Sequence, residues 1–426
     1  MARIKIGENQ TRTERLDMEA DDALRVRGVF SVSDEDETVR FEQPTDGATI
    51  VNYGVMENLA EEGRVIVFDE EVGDSLTAEI VNYGEMSSED DAVKIDSGDL
   101  VSGELAIRNG EDGLIRSDIG QGLDLADASG DFRSLVHNLG VISSGENDGV
   151  KIGGVGRVVN EGRISGGDDK GYSDGADGVS FEDDAKGVVV NSGRIEGDRH
   201  GVDAGEGSII KVTNKAGGVI VGHNGSGVGS DGSGTVVNYG TIIGAFSDSE
   251  GSDTHGSEVG EEDGGGPDGI NDGDGDGVDI DFDAHIFNYG VIKGTGSGGT
   301  GSDGLPNTSE GIAAGGGEIY NFDGAKITGA DVGILIDDSS QGGGTFETRI
   351  ENDGLIKGGT GLAIKIVGEQ DDVIVNSGKI VGGDGVAIDL GGGDDRLKVL
   401  DGSKIVGTPR AATAATGSTT AIFRRA

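Results

Sequence analysis

The chain has 426 residues, with 33 Lys and Arg against 80 Asp and Glu, so its formal net charge is −47 at pH 7. It has no cysteine, which excludes a disulfide framework, a thiolate zinc site and a cysteine nucleophile. Such a negative charge argues against direct binding of nucleic acid or anionic lipid. No apolar run reaches the roughly 18 residues that a membrane-spanning helix needs.

Residues 1–45 precede the repeat of the chain and are richer in long charged side chains, such as Arg12, Arg15 and Arg25. The open end of a repeat structure exposes unpaired strand edges, which natural proteins cover. We therefore predict that residues 1–45 form an N-terminal cap. Residues 1–7 lack the apolar segment of a secretory signal peptide.

A motif of two apolar residues followed by Asn, Tyr and Gly recurs through residues 46–408. Spacings between successive asparagines run from 22 residues (Asn138 to Asn160) to 50 residues (Asn238 to Asn288). The close and the weaker copies together place asparagines at Asn52, Asn82, Asn109, Asn138, Asn160, Asn191, Asn214, Asn238, Asn288, Asn321, Asn352 and Asn376.

A second motif alternates with the first: a small residue, then an apolar, a variable and an apolar residue, as at 92–95, 277–280 and 385–388. Each repeat thus carries about three short strands, which are bounded by residues that tolerate tight corners. Such strands bury a continuous core only when coils stack. We predict an all-β fold, a right-handed parallel β-helix of roughly twelve coils, with the asparagines in a corner ladder of amide hydrogen bonds.

Two long insertions leave the predicted coils from one corner, at residues 245–277 and 294–310. The first is made almost entirely of Gly, Ser, Asp and Glu. Loops gathered on one side of a repeat scaffold are a usual place for function. We expect these two loops to carry any recognition.

The end of the first insertion contains the clearest chemical motif, because Asp272, Asp274, Asp276 and Asp279 alternate with other residues and Asp283 follows. Oxygen ligands at every second residue, with glycine at the sixth position, match the first half of a calcium loop. The second half departs from an EF-hand and the predicted flanks are strands. We predict calcium in a strand-flanked loop, and the alternative interpretation is a solvated acidic loop.

A second metal candidate comprises Asp394 and Asp395, which follow three glycines. The segment matches most of the nonapeptide of calcium-binding β-rolls, but Leu390 replaces its first glycine and one copy is present. A corner turn in the last coil is the alternative interpretation. Because 47 uncompensated charges repel one another, bound calcium would stabilise the fold, and we expect calcium to raise the melting temperature.

Residues 409–426 break the repeat, and residues 409–416 contain neither acid nor glycine. We expect them to form an irregular tail. The chain is then organised as a cap (1–45), a parallel β-helix repeat domain (46–408) and this tail (409–426).

The repeated units, together with the runs at 274–281, 309–317 and 387–395, resemble the passenger repeats of bacterial autotransporters and related secreted β-helix proteins. The resemblance covers roughly residues 46–408. It implies a secreted or surface-exposed rod of a Gram-negative bacterium, in a family in which adhesion and aggregation are common and enzymes are a minority. It transfers no catalytic residue.

The chain departs from that family at both ends, since no signal peptide is recognisable and only eighteen residues follow Thr408. In the family, further coils and a translocating β-barrel come next. Two hypotheses account for this: a truncated or frameshifted copy of a longer autotransporter, or export by a type I system that uses no N-terminal signal.

Signals for catalysis are weak, because the five histidines lie far apart and no HExxH or Gly-x-Ser-x-Gly motif occurs. We expect a non-catalytic structural or adhesive rod, extracellular or at the cell surface and assisted by calcium, with a surface ligand or polysaccharide as partner and no nucleic acid. The alternative is a β-helical polysaccharide-active enzyme of the lyase or epimerase type. A third hypothesis is a degraded gene product without present function.

Overall fold

A computed structural model describes residues 2–33, 36–69, 72–167, 175–246, 274–298, 306–337 and 344–410. Within these ranges the regular elements are β-strands, and no α-helix occurs. The chain divides into two compact units, Met1–Asp198 with Asp203–Ser208, and Arg199–Val202 with Ile209–Ala426.

Up to residue 204 the strands are β1 (Arg3–Ile6), β2 (Thr11–Arg12), β3 (Leu16–Met18), β4 (Ala23–Val26), β5 (Val29–Val32), β6 (Glu37–Phe41), β7 (Thr45–Asn52), β8 (Val55–Asn58), β9 (Arg64–Phe68), β10 (Ser75–Asn82), β11 (Glu85–Ser88), β12 (Val93–Ile95), β13 (Ser102–Asn109), β14 (Leu114–Ser117), β15 (Leu123–Leu125), β16 (Arg133–Asn138), β17 (Val141–Ser144), β18 (Val150–Ile152), β19 (Val155–Asn160), β20 (Arg163–Gly166), β21 (Val179–Phe181), β22 (Lys186–Asn191), β23 (Arg194–Gly197) and β24 (Val202–Ala204).

From residue 209 onward the strands are β25 (Ile209–Asn214), β26 (Val219–Gly222), β27 (Val228–Ser230), β28 (Ser233–Asn238), β29 (Thr241–Gly244), β30 (Asp274–Gly275), β31 (Val278–Ile280), β32 (Ala284–Asn288), β33 (Val291–Gly294), β34 (Gly296–Ser297), β35 (Glu310–Ala314), β36 (Gly317–Asn321), β37 (Lys326–Gly329), β38 (Val332–Ile336), β39 (Thr348–Asn352), β40 (Leu355–Gly358), β41 (Ile364–Ile366), β42 (Val373–Asn376), β43 (Lys379–Asp389), β44 (Arg396–Val399) and β45 (Lys404–Arg410).

The first unit has three rows of parallel strands, and each coil contributes one strand to each row. The first row runs β1, β4, β7, β10, β13, β16, β19, β22. The second runs from β2 through β5, β8, β11, β14, β17 and β20 to β23. The third runs β3, β6, β9, β12, β15, β18, β21.

The second unit repeats this arrangement. Its first row is β25, β28, β32, β36, β39, β42 and β44. Strands β26, β29, β33, β37, β40, β43 and β45 form the second row. Strands β27, β31, β35, β38 and β41 form the third, which ends on the later part of β43. A short antiparallel pair, β30 and β34, stands outside these rows.

The core consists mainly of Ile and Val side chains, with some Leu, Phe, Met and Ala, and equivalent side chains lie above one another along each row. Every coil with a ladder asparagine has an apolar residue two positions before it, and the parallel register places these apolar residues next to one another in successive coils. Burial of such a side chain stabilises the fold by about 1.5–3 kcal/mol. In the first-row column of each unit these side chains are at most 2 % exposed: Ile50, Ile80, Ile107, Val136, Val158 and Val189, and Val212, Val236, Ile286, Ile319, Ile350, Ile374 and Leu397.

The predicted fold class, an all-β parallel β-helix of roughly twelve coils, is confirmed, with about 13 turns. Residues 3–41, predicted as a cap, form strands β1–β6, which pair in parallel as the later coils do. The asparagine motif does not reveal these coils, because Val26 takes the position that asparagine has in the next coil, where it pairs with Asn52. Residues 247–273, 299–305 and 411–426 lie outside the described residues. Most of the first predicted loop and of the tail is therefore not described, whereas ten of the seventeen residues of the second loop are.

Candidate functional site

The asparagines end the first-row strands, and all twelve are at most 1 % exposed. In the first unit each side-chain amide donates to the Oδ1 of the next asparagine at 2.8–2.9 Å, from Asn52 to Asn191. In the second unit the same bonds of 2.7–2.9 Å run from Asn214 to Asn376.

The amide of Asn82 shows how fully these side chains are used. Its Nδ2 donates to Asn109 Oδ1 at 2.9 Å and to the carbonyl of Leu114 at 3.0 Å, while its Oδ1 accepts from Asn52 and from the N–H of Gly84 at 3.2 Å. A buried amide with these partners has little capacity left for a ligand. The asparagine corner is therefore structural.

A second column of inward polar residues lies at the corner before the third-row strands. Asp91 Oδ1 accepts from the N–H of Gln121 at 2.8 Å, and Asp148 Oδ1 accepts from the N–H of Asp177 at 2.7 Å. Asp91 and Asp148 are 1 % and 6 % exposed. These carboxylates join one coil to the next, as the asparagines do at the other corner.

The charge of Asp91 is compensated from neighbouring strands. Lys94 Nζ lies 3.2 Å from Asp91 and 2.9 Å from Asp124, and Arg64 Nε lies 3.7 Å from Asp91. The pKa of Asp91 is raised to about 6, mainly by burial and also by repulsion from Asp124, and the attraction of Lys94 opposes both effects. The cluster is an internal ion network within the first unit.

The five aspartates of the first calcium candidate are used in different ways. Asp272 and the side chain of Asp274 lie outside the described residues. Asp276 is 1 % exposed, and its Oδ1 accepts from the N–H of Glu310 at 2.5 Å. Within the second unit, Asp276 thus holds the position before a third-row strand that Asp91 and Asp148 hold in the first.

The other two aspartates of this candidate lie away from that corner. Asp279 is half-buried in the middle of β31, between the inward Val278 and Ile280. Asp283 has its Oδ2 3.1 Å from His285 Nε2. In the described ranges no group of three or more His, Asp or Glu side chains has a metal-holding arrangement.

The second calcium candidate divides between surface and interior. Asp394 is exposed, and its N–H donates to Asp371 Oδ1 at 2.8 Å. Asp395 is 2 % exposed, and its Oδ1 accepts from the N–H of Asp372 at 3.1 Å. Asp372, which is 1 % exposed, accepts in the same way from the N–H of Thr348 at 2.8 Å.

Sequence reasoning missed Asp91, Asp148 and Asp372 as buried acids. For Asp91, Asp148 and Asp276 a signal was present, because each stands immediately before a small residue and an apolar–any–apolar strand. A residue in that place falls on the corner and points inward. Asp372 carries no such signal, since Thr348 occupies the equivalent place one coil earlier.

Tyrosines that follow the asparagines form exposed stacks. In the second unit the ring centroids of Tyr239 and Tyr289 are 4.6 Å apart, and those of Tyr289 and Phe322 are 4.0 Å apart, with nearly parallel planes. In the first unit Tyr53 and Tyr83 stack at 5.1 Å. Because stacked rings cover each other's faces, mainly edges meet the solvent, and the stacks extend the corner ladder outward.

A cavity of about 880 Å³ opens in the first unit at the corner before the first-row strands. Its lining includes Asp131, Glu182, Asp183, Asp184 and Lys186. Two of these acids have partners, since Glu182 Oε1 lies 2.8 Å from Lys151 Nζ and Asp183 Oδ1 accepts from the N–H of Glu206 at 2.9 Å. Contacts within the unit therefore occupy part of this acidic surface.

No family model, curated protein or solved structure matches this chain. Among the described residues there is also no helix of the length and apolar character that crossing a membrane requires.

Proposed function

We propose that this chain is a structural or adhesive β-helical scaffold, extracellular or at the surface of a Gram-negative bacterium, whose fold is assisted by calcium. The observation that carries the proposal is the use of the inward polar groups: the asparagine amides and the corner carboxylates bond from coil to coil. These groups serve cohesion and face away from solvent. Recognition then belongs to the outward surfaces and the inserted loops.

Calcium is proposed from the sequence of residues 272–283 and from the net charge of −47. Aspartates that cluster at a loop repel one another, and a divalent cation bound there adds its binding free energy to the stability of the fold. Neutralising Asp272 and Asp274 removes two of the proposed ligands while leaving the corner bond of Asp276 in place.

The test is thermal unfolding in CaCl₂ and in chelator at equal ionic strength. We expect calcium to raise the melting temperature of the wild type and to have a much smaller effect on the Asp272→Asn/Asp274→Asn variant. The matched control is Glu111→Gln/Asp112→Asn, which removes two exposed charges from the turn between β13 and β14. Equal melting temperatures with and without calcium in the wild type would contradict the calcium proposal.

Polysaccharide cleavage or epimerisation remains the alternative for the same scaffold. The buried carboxylates Asp372 and Asp395 face the interior at 1–2 % exposure, which keeps them from a polymer outside. Incubation with alginate and pectate, followed at the ultraviolet absorbance of unsaturated products, separates the two functions. Turnover would favour the enzyme, and binding without turnover supports the scaffold.

A further inference from the structure

The outward face of the first row in the first unit differs in charge from the chain as a whole. On β16, β19 and β22, every second residue points outward, and the nine outward residues include no acid. They are three cations, one histidine and five apolar residues: Arg133, Leu135, His137, Val155, Arg157, Val159, Lys186, Val188 and Val190. The adjacent strand β13 adds Arg108. We call these ten residues the basic strip.

The cations of the basic strip have no ion-pair partner among the described residues, although Lys186 also lines the acidic cavity of the first unit. Arg108, Arg133, Arg157 and Lys186 are exposed. Among the described residues no carboxylate lies within 4.0 Å of their charged nitrogens, although many other cations of the first unit have such partners. The nearest strand-borne acid, Glu104, stands opposite Arg133 in the register, and Glu161 at the margin contacts His137 at 3.1 Å.

The register fixes how the charges are spaced. Arg133 and Lys186 lie in one column, two strands apart, with Val155 between them, while Arg157 lies in the next column. Strands about 4.8 Å apart place the first two backbones about 10 Å from each other along the stack, and the columns are about 7 Å apart. At physiological salt, charges beyond about 8 Å are largely screened. A ligand on the strip therefore meets these four cations together with the nearby Glu104 and the acids that line the cavity beside Lys186, and the other acids of the chain contribute little.

We propose that the basic strip binds a linear carboxylated polysaccharide. Arginine supplies three of the four cations, and its planar guanidinium pairs with carboxylates through two parallel hydrogen bonds. The apolar residues between the cations offer a surface to the C–H faces of sugar rings. The inference rests on the adhesive part of the proposed function and names the ligand class.

The size and composition of the strip favour a single polysaccharide chain over other polyanions. Ten outward positions, at about 33 Å² each from the strand spacing and the residue repeat, cover roughly 330 Å², less than half of the roughly 800 Å² that each partner contributes to a stable protein interface. Binding of single-stranded nucleic acid draws on aromatic side chains that stack on bases, and the ten residues of the strip include no Phe, Tyr or Trp.

The test is the affinity of the full chain for polygalacturonate in chelator at about 0.15 M NaCl, where the distant acids of the chain are screened and calcium cannot bridge acid to acid. We expect wild type to bind, Arg133→Gln/Arg157→Gln to bind at least tenfold more weakly, and added NaCl to weaken binding. The control Arg396→Gln/Lys398→Gln removes two exposed cations from the outward side of β44 and should bind as wild type does. The melting temperatures of both variants should equal that of wild type, since all four side chains are exposed.

Several outcomes would overturn the inference: no binding by wild type, equal affinity of the strip variant, or equal loss in the control variant. Binding of fully methyl-esterified polygalacturonate with unchanged affinity would remove the role of charge. Tighter binding of heparin, or of single-stranded DNA of equal charge, would refute the carboxylated ligand. Binding is measured below the melting temperature found in chelator, so that failure here is separate from failure of the calcium proposal.

Discussion

Asp372 is the clearest case of a polar side chain that the fold buries although its carboxylate would be better solvated in water. Its carboxylate lies inside the coil before β42, next to that of Asp395 before β44, and the Oδ2 atom of each is buried without a hydrogen-bond partner. Burial is the main cause that raises the pKa of Asp372 to about 7. The N–H of Thr348 opposes the rise, and the negative charge of Asp395 adds to it.

The raised pKa of Asp372 predicts a specific dependence of stability on pH. A carboxyl whose folded pKa exceeds its unfolded value stabilises the fold while protonated, below about pH 4, and this contribution is lost as pH rises through about 7. Asp372→Asn keeps an uncharged acceptor for Thr348. We expect this variant to be more stable than wild type at pH 8, by an amount on the order of a few kcal/mol, and to match it near pH 4.

Urea unfolding at the two pH values measures this difference. The control is Asp371→Asn, which changes an exposed neighbour whose carboxylate accepts from the N–H of Asp394. If Asp372→Asn were less stable than wild type at pH 8, the buried carboxylate of Asp372 would be stabilised in the folded protein, and its pKa would not be raised.

Individual residues differ in how far the sequence reveals them. The asparagine positions follow from a motif that recurs with its neighbours intact, and a register that stacks Asn82 on Asn109 preserves the apolar column as well. An inward acid is harder to identify, because 80 acids occur in the chain. Asp276 can be distinguished from the exposed acids by its position just before a predicted strand. The sequence around Asp372 contains no such indication.

At the scale of the element, the neighbouring coil limits which residues fit in several of the turns that follow an asparagine. A Cβ on Gly162 would lie 2.1 Å from the carbonyl oxygen of Gly140, and one on Gly193 would lie 2.0 Å from that of Gly162. Backbone therefore packs on backbone at this corner. Glycine is required there by the close approach of the chain.

We predict that Gly162→Ala destabilises the protein by about 1–3 kcal/mol or more, the usual cost of forcing extra atoms into packed structure. Urea unfolding measures the loss. Gly98→Ala is the matched control, since a Cβ on Gly98 meets no atom within 4 Å. Equal stabilities of the two alanine variants would show that the coils separate easily at the asparagine corner.

The strands themselves were predictable where the motif is present, because Ile and Val clusters between Gly and Asn leave few alternatives to short stacked strands. The strands of residues 3–41 were not predictable from the motif, because Ile6 and Val26 stand at the positions where later coils have asparagine. An apolar residue fills the corner without a hydrogen bond, and sequence gives no sign that it belongs to a ladder.

At the scale of the whole molecule, the net charge of −47 opposes the compact state through repulsion among the acids. Screening shortens the range of that repulsion from about 30 Å in 0.01 M salt to about 10 Å in 0.1 M salt. We therefore predict that NaCl alone raises the melting temperature across this range. A melting temperature that stays constant or falls with NaCl would show that repulsion among the acids contributes little.

The sequence predicted the architecture of the molecule better than its interaction surfaces. Stacking follows from a pattern that is local and repeated, whereas the basic strip depends on the register that brings Arg133, Arg157 and Lys186 onto one face. Along the chain these residues are 24 and 29 positions apart. Composition alone described the surface as acidic, and only the folded register shows a local exception.

The chain of amides from Asn52 to Asn191 gives every junction within it the same donor and the same acceptor. If residues 139–160, one full coil, were deleted, Asn138 would lie next to Asn191 and could donate to it the hydrogen bond that it now donates to Asn160. Duplication of that segment would insert a further identical junction. A gene for such a protein can therefore lengthen or shorten by unequal recombination in whole turns, and selection can adjust reach without redesigning any contact.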